Sequence, residues 1–506
     1  MSSPTIARGV LDPRQALAPV SRRIFGSFVE HLGRCVYTGI FEPDHPSADE
    51  EGFRTDVLEL VRELGATIVR YPGGNFVSGY RWRDGIGPAE DRPARLDLAW
   101  HSLEPNKVGT DEFLSWCAKA GVEPMWAVNL GTGGVLDAVD LLDYVNGTAP
   151  TAMADLRRAN GHEEPYGVRM WCLGNEMDGP WQIGHMDAEA YGTAALTAAR
   201  AMRMVDPDLD LVACGSSGPF MPTFGDWERT VLEACYDEVD YISLHRYYEE
   251  KDGDLATFLA SGVDLDHFIE AVIATADHVG AKRRSSKKIS ISVDEWNVWY
   301  QSREESKVPT GDDWPVGPRL LEDKYNVADA VVVGGLIVSL LKHSDRVTAA
   351  CQAQLVNVIA PIMAEPGGPA WRQTIFHPFA QAARLARGVA VPLHLESPMH
   401  ETAGHGVVSS VDGVATWDGD SESGAVFLVN RTAGTTIDVE IDLAALEGAR
   451  VRQVSSLTDD DPYRRNSAEE PGAVVPREGL AKEEGNLVHV TLPPVSWTVI
   501  ELGREQ

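Results

Sequence analysis

The run Met170-Trp171-Cys172-Leu173-Gly174-Asn175-Glu176 gives the first purchase on the fold. Its four leading residues are apolar with no polar alternation, the pattern of a short strand buried on both faces. It stops at a glycine, and an amide and an acid follow. The run Ile289-Ser290-Ile291-Ser292-Val293-Asp294-Glu295-Trp296-Asn297 has the same design, a strand-like segment that ends abruptly in an acid. Each strand thus delivers one glutamate at its C-terminal end. Read singly, either glutamate could simply end a strand and face solvent.

Outward from these two runs, six more strand-like segments fall at 24–30, 67–71, 124–130, 209–214, 239–244 and 347–355. Helical patterns lie between them. In 55–64, Val57, Leu58, Val61 and Leu64 share one face, and Gly65 supplies a left-handed stop. The alanine-rich 187–205 has strong helix propensity and ends at Asp206-Pro207. Eight strands, each followed by helical sequence, predict an α/β fold of the (β/α)8 TIM-barrel type over 21–387. A doubly wound sheet is the competitor, but no GxGxxG or phosphate-loop motif follows the first strand. After Gly388 alternation takes over, as in Ile437, Val439, Ile441 and Leu443 interleaved with acids. Residues 388–506 therefore read as a C-terminal antiparallel β-sandwich, jelly-roll-like, with 459–484 as surface loops. Residues 1–20 are expected to contribute a strand to it.

The 506 residues hold 44 basic and 76 acidic side chains, a formal charge of -32. That balance argues against nucleic acid or an anionic membrane as partner. The apolar stretch 330–341 is too short to span a bilayer and reads as a buried helix. The N-terminus carries no apolar core of the secretory kind. Six scattered cysteines show no metal or disulfide spacing and suit a reducing compartment. The expected location is cytoplasmic.

In a parallel barrel the active site lies at the C-terminal strand ends. Those ends carry Glu30-His31, Arg70, Gly73-Gly74-Asn75, Asn175-Glu176, His245-Arg246-Tyr247, Glu295-Trp296 and Gln354. The set is rich in acids and amides. It holds no HExxH-type metal signature and no Ser/His/Asp order, so neither metal nor cofactor is expected. Glu176 would follow the fourth strand and Glu295 the seventh, facing each other across the mouth. Paired carboxylates so placed suit acid/base and nucleophilic work on a sugar.

With these motifs in view, the chain resembles family 51 of the glycoside hydrolases, the α-L-arabinofuranosidases. The matching segments include Phe25-Gly-Ser-Phe-Val-Glu30-His31, Val69-Arg70-Tyr-Pro-Gly-Gly-Asn75-Phe76, Leu96-Asp-Leu-Ala-Trp100 and Cys172-Leu-Gly-Asn-Glu176-Met-Asp-Gly-Pro-Trp181. Ile242-Ser-Leu-His245, Asp294-Glu295-Trp-Asn-Val-Trp299-Tyr300 and Ala353-Gln354-Leu-Val-Asn357 continue the series in order. Asn106-Lys-Val-Gly-Thr110 departs from the commoner pattern, which bears on the leaving-group side of the site.

The resemblance implies a retaining exo-enzyme that releases terminal α-L-arabinofuranosyl residues from arabinoxylo- or arabino-oligosaccharides by double displacement. Glu295 is then the nucleophile and Glu176 the acid/base. Glu30, Asn75, Asn175 and Gln354 match positions that bind the furanose hydroxyls. Tyr247 orients the nucleophile, Arg70 and His245 support the pair from behind, and Trp100 and Trp299 wall the leaving-group side. For Arg70 and Glu30 a purely structural role, and for the two tryptophans plain packing, are the alternatives. The resemblance also implies a homo-oligomer, a homohexamer. Another retaining glycosidase of the same clan, or a silent sugar-binding protein, are the rival functions.

Overall fold

The computed structural model describes residues 6–303 and 306–504. Eight strands form a closed, wholly parallel barrel in chain order: Gly26–Phe28, Ile68–Tyr71, Glu123–Ala127, Met170–Leu173, Asp210–Ala213, Tyr241–Tyr248, Ser290–Val298 and Val347–Gln352. The last pairs back onto the first. Their side chains fill the barrel or pack under the outer helices, so the strands are apolar on both faces.

The helices begin and end where local chemistry dictates. Thr55–Leu64 buries Val57, Leu58, Val61 and Leu64, and Gly65 closes it at φ 77°. That conformation strains any residue with a Cβ. Ala188–Val205 starts at Asp187, whose carboxylate accepts the Ala190 N–H. Val327–Lys342 is buried along its length except for Lys342, because it lies between the barrel and the C-terminal strands.

Those C-terminal strands make one ten-stranded sheet folded over on itself. The hinge is the strand Val389–Glu396: residues 389–392 pair with Val411–Asp418, and residues 393–396 pair with Ile6–Leu11. Two layers result, with Val391, Val426, Leu428, Val439, Val490 and Ile500 among the side chains in the core between them. The N-terminal strand Ile6–Leu11 sits inside the second layer, between Val389–Glu396 and Ile437–Asp442; residues 1–5 lie outside the described residues. Its pairing with Ile437–Asp442 is parallel, so the sandwich is not antiparallel throughout. The 459–484 segment is not all loop either. Arg477–Glu478 and Ala481–Glu484 add edge pairings, and being charged and exposed they lack the apolar alternation that marks a half-buried strand.

The outer face of the first layer is also buried. Phe427, Trp497 and Val499 merge with the barrel's own core. Gly334, on the Val327–Lys342 helix, lets the Trp497 ring lie against the helix backbone, where a Cβ would collide with the indole. At the helix end, the Lys342 ammonium bridges Asp266 of the barrel, at 2.8 Å, and Asp412 of the sandwich, at 3.1 Å.

Candidate active site

Two backbone devices place the acids. Gly174 (φ 99°) and Glu176 (φ 43°) both take left-handed conformations directly after the fourth strand. A non-glycine residue held there is strained, a feature that concentrates at functional sites. In the seventh strand the register against the sixth shifts between Ser292 and Glu295. Consecutive residues of a regular strand point to opposite faces, and a bulge breaks that rule. Asp294 and Glu295 can therefore both reach the same charged cluster.

Arg70, fully buried, is the hub. Its Nη1 donates to Glu295 Oε1 at 2.7 Å and its Nη2 to Asn175 Oδ1 at 2.6 Å, while Nε stands 3.6 Å from Asp294. Burial opposes its charge, but the carboxylates of Asp294 and Glu295 outweigh that and hold its pKa well above the usual value. The Tyr247 hydroxyl donates to the other oxygen of Glu295 at 2.8 Å. Both oxygens of Glu295 are thus fixed. Glu176 is gripped by different groups, with Trp181 Nε1 at 2.6 Å from Oε2 and His245 Nδ1 at 2.9 Å from Oε1.

His245 links the acids. Its Nε2 is 3.1 Å from Asp294 Oδ1, and its Nδ1 is 3.6 Å from Glu295. Burial disfavours its charge, yet the Glu295 charge and the bonds to Asp294 and Glu176 override this and push its pKa well up. Burial likewise opposes ionisation of Asp294, but Arg70 and His245 keep its pKa low. Oxygens of Glu176 and Glu295 lie within 4.8 Å of each other and of a His245 nitrogen. These donor atoms are close enough for a metal ion. However, both His245 nitrogens already face carboxylates, and a protonated imidazole has no lone pair to give.

Glu30 builds a second wall. Its Oε1 accepts from the Phe76 backbone N–H (3.0 Å) and Trp100 Nε1 (2.8 Å), and Oε2 accepts from Gln354 Nε2 (3.0 Å). A Cβ on Gly74 would come within 2.6 Å of Oε2, so glycine there permits the close approach. Burial is the main reason its pKa rises to about 8; the Phe76 N–H works against it and the Glu295 charge adds to it.

Glu30, Asn75, Trp100, Glu176, Tyr247, Glu295, Trp299 and Gln354 all line one cleft of about 860 Å³. Asn175, Arg70 and His245 stand behind this surface, joined to it by the bonds above. Trp299 meets Tyr247 edge-on at 5.1 Å. Trp100 does more than pack, since its indole N–H holds Glu30. Asn106 lines a separate cavity of about 190 Å³, away from the acids. Sequence reasoning assigned no role to Asp294, Trp181 or Gln182. Gln182 accepts from Asn175 Nδ2 at 3.3 Å and donates to Ser78. For Asp294 and Trp181 the signal was adjacency to the acids within the same motifs; for Gln182 there was none.

A closely spaced acid pair at the C-terminal mouth of a (β/α)8 barrel defines the class, a glycoside hydrolase. Two family descriptions, "Alpha-L-arabinofuranosidase 1 domain" and "Alpha-L-arabinofuranosidase C-terminal domain", match residues 60–262 and 294–496. The chain belongs to the α-L-arabinofuranosidases of glycoside hydrolase family 51. It is similar to the intracellular exo-α-(1→5)-L-arabinofuranosidase of Streptomyces lividans, 56% identical over 98% of this chain and 75% of that protein. It is 53% identical to the exo-α-(1→6)-L-arabinofuranosidase of Bifidobacterium longum, over 98% of this chain and 97% of the relative. The solved structure of the family 51 enzyme AbfB from Bifidobacterium longum superposes with a TM-score of 0.95 at 51% identity, covering 99% of this chain and 100% of that one. No helix among the described residues is long and apolar enough to cross a membrane.

Proposed function

We propose that this enzyme is an intracellular, exo-acting, retaining α-L-arabinofuranosidase that works on short arabinose-bearing oligosaccharides by double displacement. The observation that carries the reading is the approach of Glu176 and Glu295 to within 4.8 Å. Retaining pairs stand about 5–5.5 Å apart, whereas inverting pairs need about 6.5–9.5 Å to admit a water. The exo action and the intracellular setting rest on the names of the relatives.

Glu295 is the nucleophile. Arg70 Nη1 and the Tyr247 hydroxyl hold its two oxygens and limit its rotation. An oxygen of Glu295 bonds to the anomeric carbon as the glycosidic oxygen departs with a proton from Glu176. Water then attacks the anomeric carbon and gives its proton to Glu176, and Glu295 is released as carboxylate. His245 Nδ1 and Trp181 Nε1 hold the two oxygens of Glu176 in place for both of its roles.

Glu30, Asn75, Asn175 and Gln354 bind the furanose hydroxyls, a ring with few apolar handles. Asn175 sits just behind the lining with its Oδ1 held by Arg70 and one Nδ2 hydrogen on Gln182; its other Nδ2 hydrogen takes the 2-hydroxyl, where a hydrogen bond strengthens in the transition state. Trp100 and Trp299 flank the leaving group. Residues 21–387 form the catalytic unit and 388–506, with the N-terminal strand, the sandwich. The active species is a homo-oligomer, a hexamer by family resemblance. A panel of aryl glycosides tests the substrate: selective turnover of the α-L-arabinofuranoside is expected, and cleavage of pyranosides alone would overturn the reading.

A further inference from the structure

The cleft extends well beyond the acids, and one part of its wall comes from the other end of the chain. The hairpin Met399–Thr402/Gly406–Ser409 leaves the sandwich and reaches the barrel mouth. At its tip the Gly404 N–H donates to Thr257 Oγ1 at 2.9 Å, in the short helix Leu255–Leu259 that follows the sixth barrel strand. A Cβ on Gly404 would strike the Thr257 side chain, so glycine is required for this contact. Thr402 Oγ1 accepts the His405 N–H at 3.1 Å and donates to the Gly406 carbonyl at 3.0 Å, which pins the turn. His405, half-buried, then lines the same cleft as Glu176 and Glu295.

Resting on the proposed function above, we infer that His405 belongs to the substrate cleft and binds a sugar of the leaving group beyond the unit next to the scissile bond. Three observations converge. A cleft of about 860 Å³ far exceeds one pentose, so its outer part has room for further sugar units. Its outer wall combines exposed aromatic surface, Phe220 at 65% and Trp181 at 45% exposure, with hydrogen-bonding groups, the pairing that carbohydrate recognition uses. Burial lowers the His405 pKa, and neighbouring Arg246 adds to this while Asp264 opposes it. With its ring N–H turned to the Thr257 backbone, a neutral imidazole keeps a lone-pair nitrogen that accepts from a sugar hydroxyl. The sandwich thereby acts on specificity as well as on stability.

The test compares His405→Ala and His405→Gln with wild type on p-nitrophenyl α-L-arabinofuranoside and on α-1,5-arabino-oligosaccharides of two to five units. For His405→Ala, kcat/KM on the aryl glycoside should stay within about twofold of wild type. On the longer oligosaccharides it should fall about 5- to 30-fold, mainly through KM, the size of one lost hydrogen bond of about 1–2 kcal/mol. His405→Gln, which keeps a donor and an acceptor, should recover part of that loss. Equal ratios on all substrates, or a loss confined to the aryl glycoside, would overturn the inference. Wild type failing on every arabinofuranoside would instead refute the function on which it rests. Thermal midpoints of both variants, expected within a few degrees of wild type, separate a lost contact from a loosened hairpin. A fall in midpoint with uniform loss on every substrate would assign His405 a structural role.

Discussion

At the residue scale, the acids and their partners make separable predictions. Glu295→Ala should abolish turnover of every substrate, because the carboxylate that forms the glycosyl-enzyme is gone. Glu176→Ala should lose about 10²–10⁴-fold on substrates whose leaving group needs a proton, and far less in the first step of good aryl leaving groups. Added azide should restore its turnover and yield the α-arabinofuranosyl azide, by attack on the glycosyl-enzyme. A product of opposite configuration would contradict the assignment. Glu30 gives a pH prediction. Its ordinary value of 4.5 rises to about 8 in the folded protein. Between those values the folded state keeps a proton that the unfolded chain has released, so this group's contribution to stability declines as pH rises through that window. The full fall is on the order of 5 kcal/mol at about 1.36 kcal/mol per unit. In Glu30→Gln, denaturant unfolding at a series of pH values should show that part of the slope removed; an unchanged slope would refute a protonated Glu30. Glu176 was legible because an abrupt polar stop after a buried strand has few readings; Glu295 was legible as an acid closing an apolar run, although its strand continues past it to Val298. Asp294 was not, because alternation predicts that neighbours on a strand face opposite ways, and the bulge that reverses this leaves no mark in composition.

At the element scale, the barrel strands stood out because both faces are buried and their runs are short and apolar. The strand Val411–Asp418 leaves little mark in the sequence for a related reason. Packed on both faces, with Gly413 and Ala415 inside, it shows neither alternation nor a long apolar run. Ile437–Asp442 was plain because one face is solvated, with acids at every second position. Helix ends followed their caps. Gly65→Ala should test the left-handed stop of Thr55–Leu64: a Cβ at φ 77° costs about 1–2 kcal/mol, and it would also press on Ala383 at 3.2 Å. Thermal unfolding of the variant should show a lower midpoint with kinetics unchanged; an unchanged midpoint would show that the turn relaxes.

At the scale of the whole molecule, barrel and sandwich share a core through Val327–Lys342. Gly334→Val should force Trp497 off the helix and destabilise the enzyme by about 1–3 kcal/mol, the usual penalty for overpacking. The active-site acids lie elsewhere, so a variant that stays folded at assay temperature should keep its kcat. A stable but inactive variant would show that the interface also sets the site. The joint was hidden in the sequence, since no local pattern tells that the outer face of a sandwich layer is covered by a helix. The central claim, a retaining displacement through Glu295, is tested most directly by following an aryl α-L-arabinofuranoside by NMR in water containing methanol. The first product should be methyl α-L-arabinofuranoside, formed when methanol intercepts the glycosyl-enzyme. Initial formation of the β-anomer would contradict the two-step mechanism.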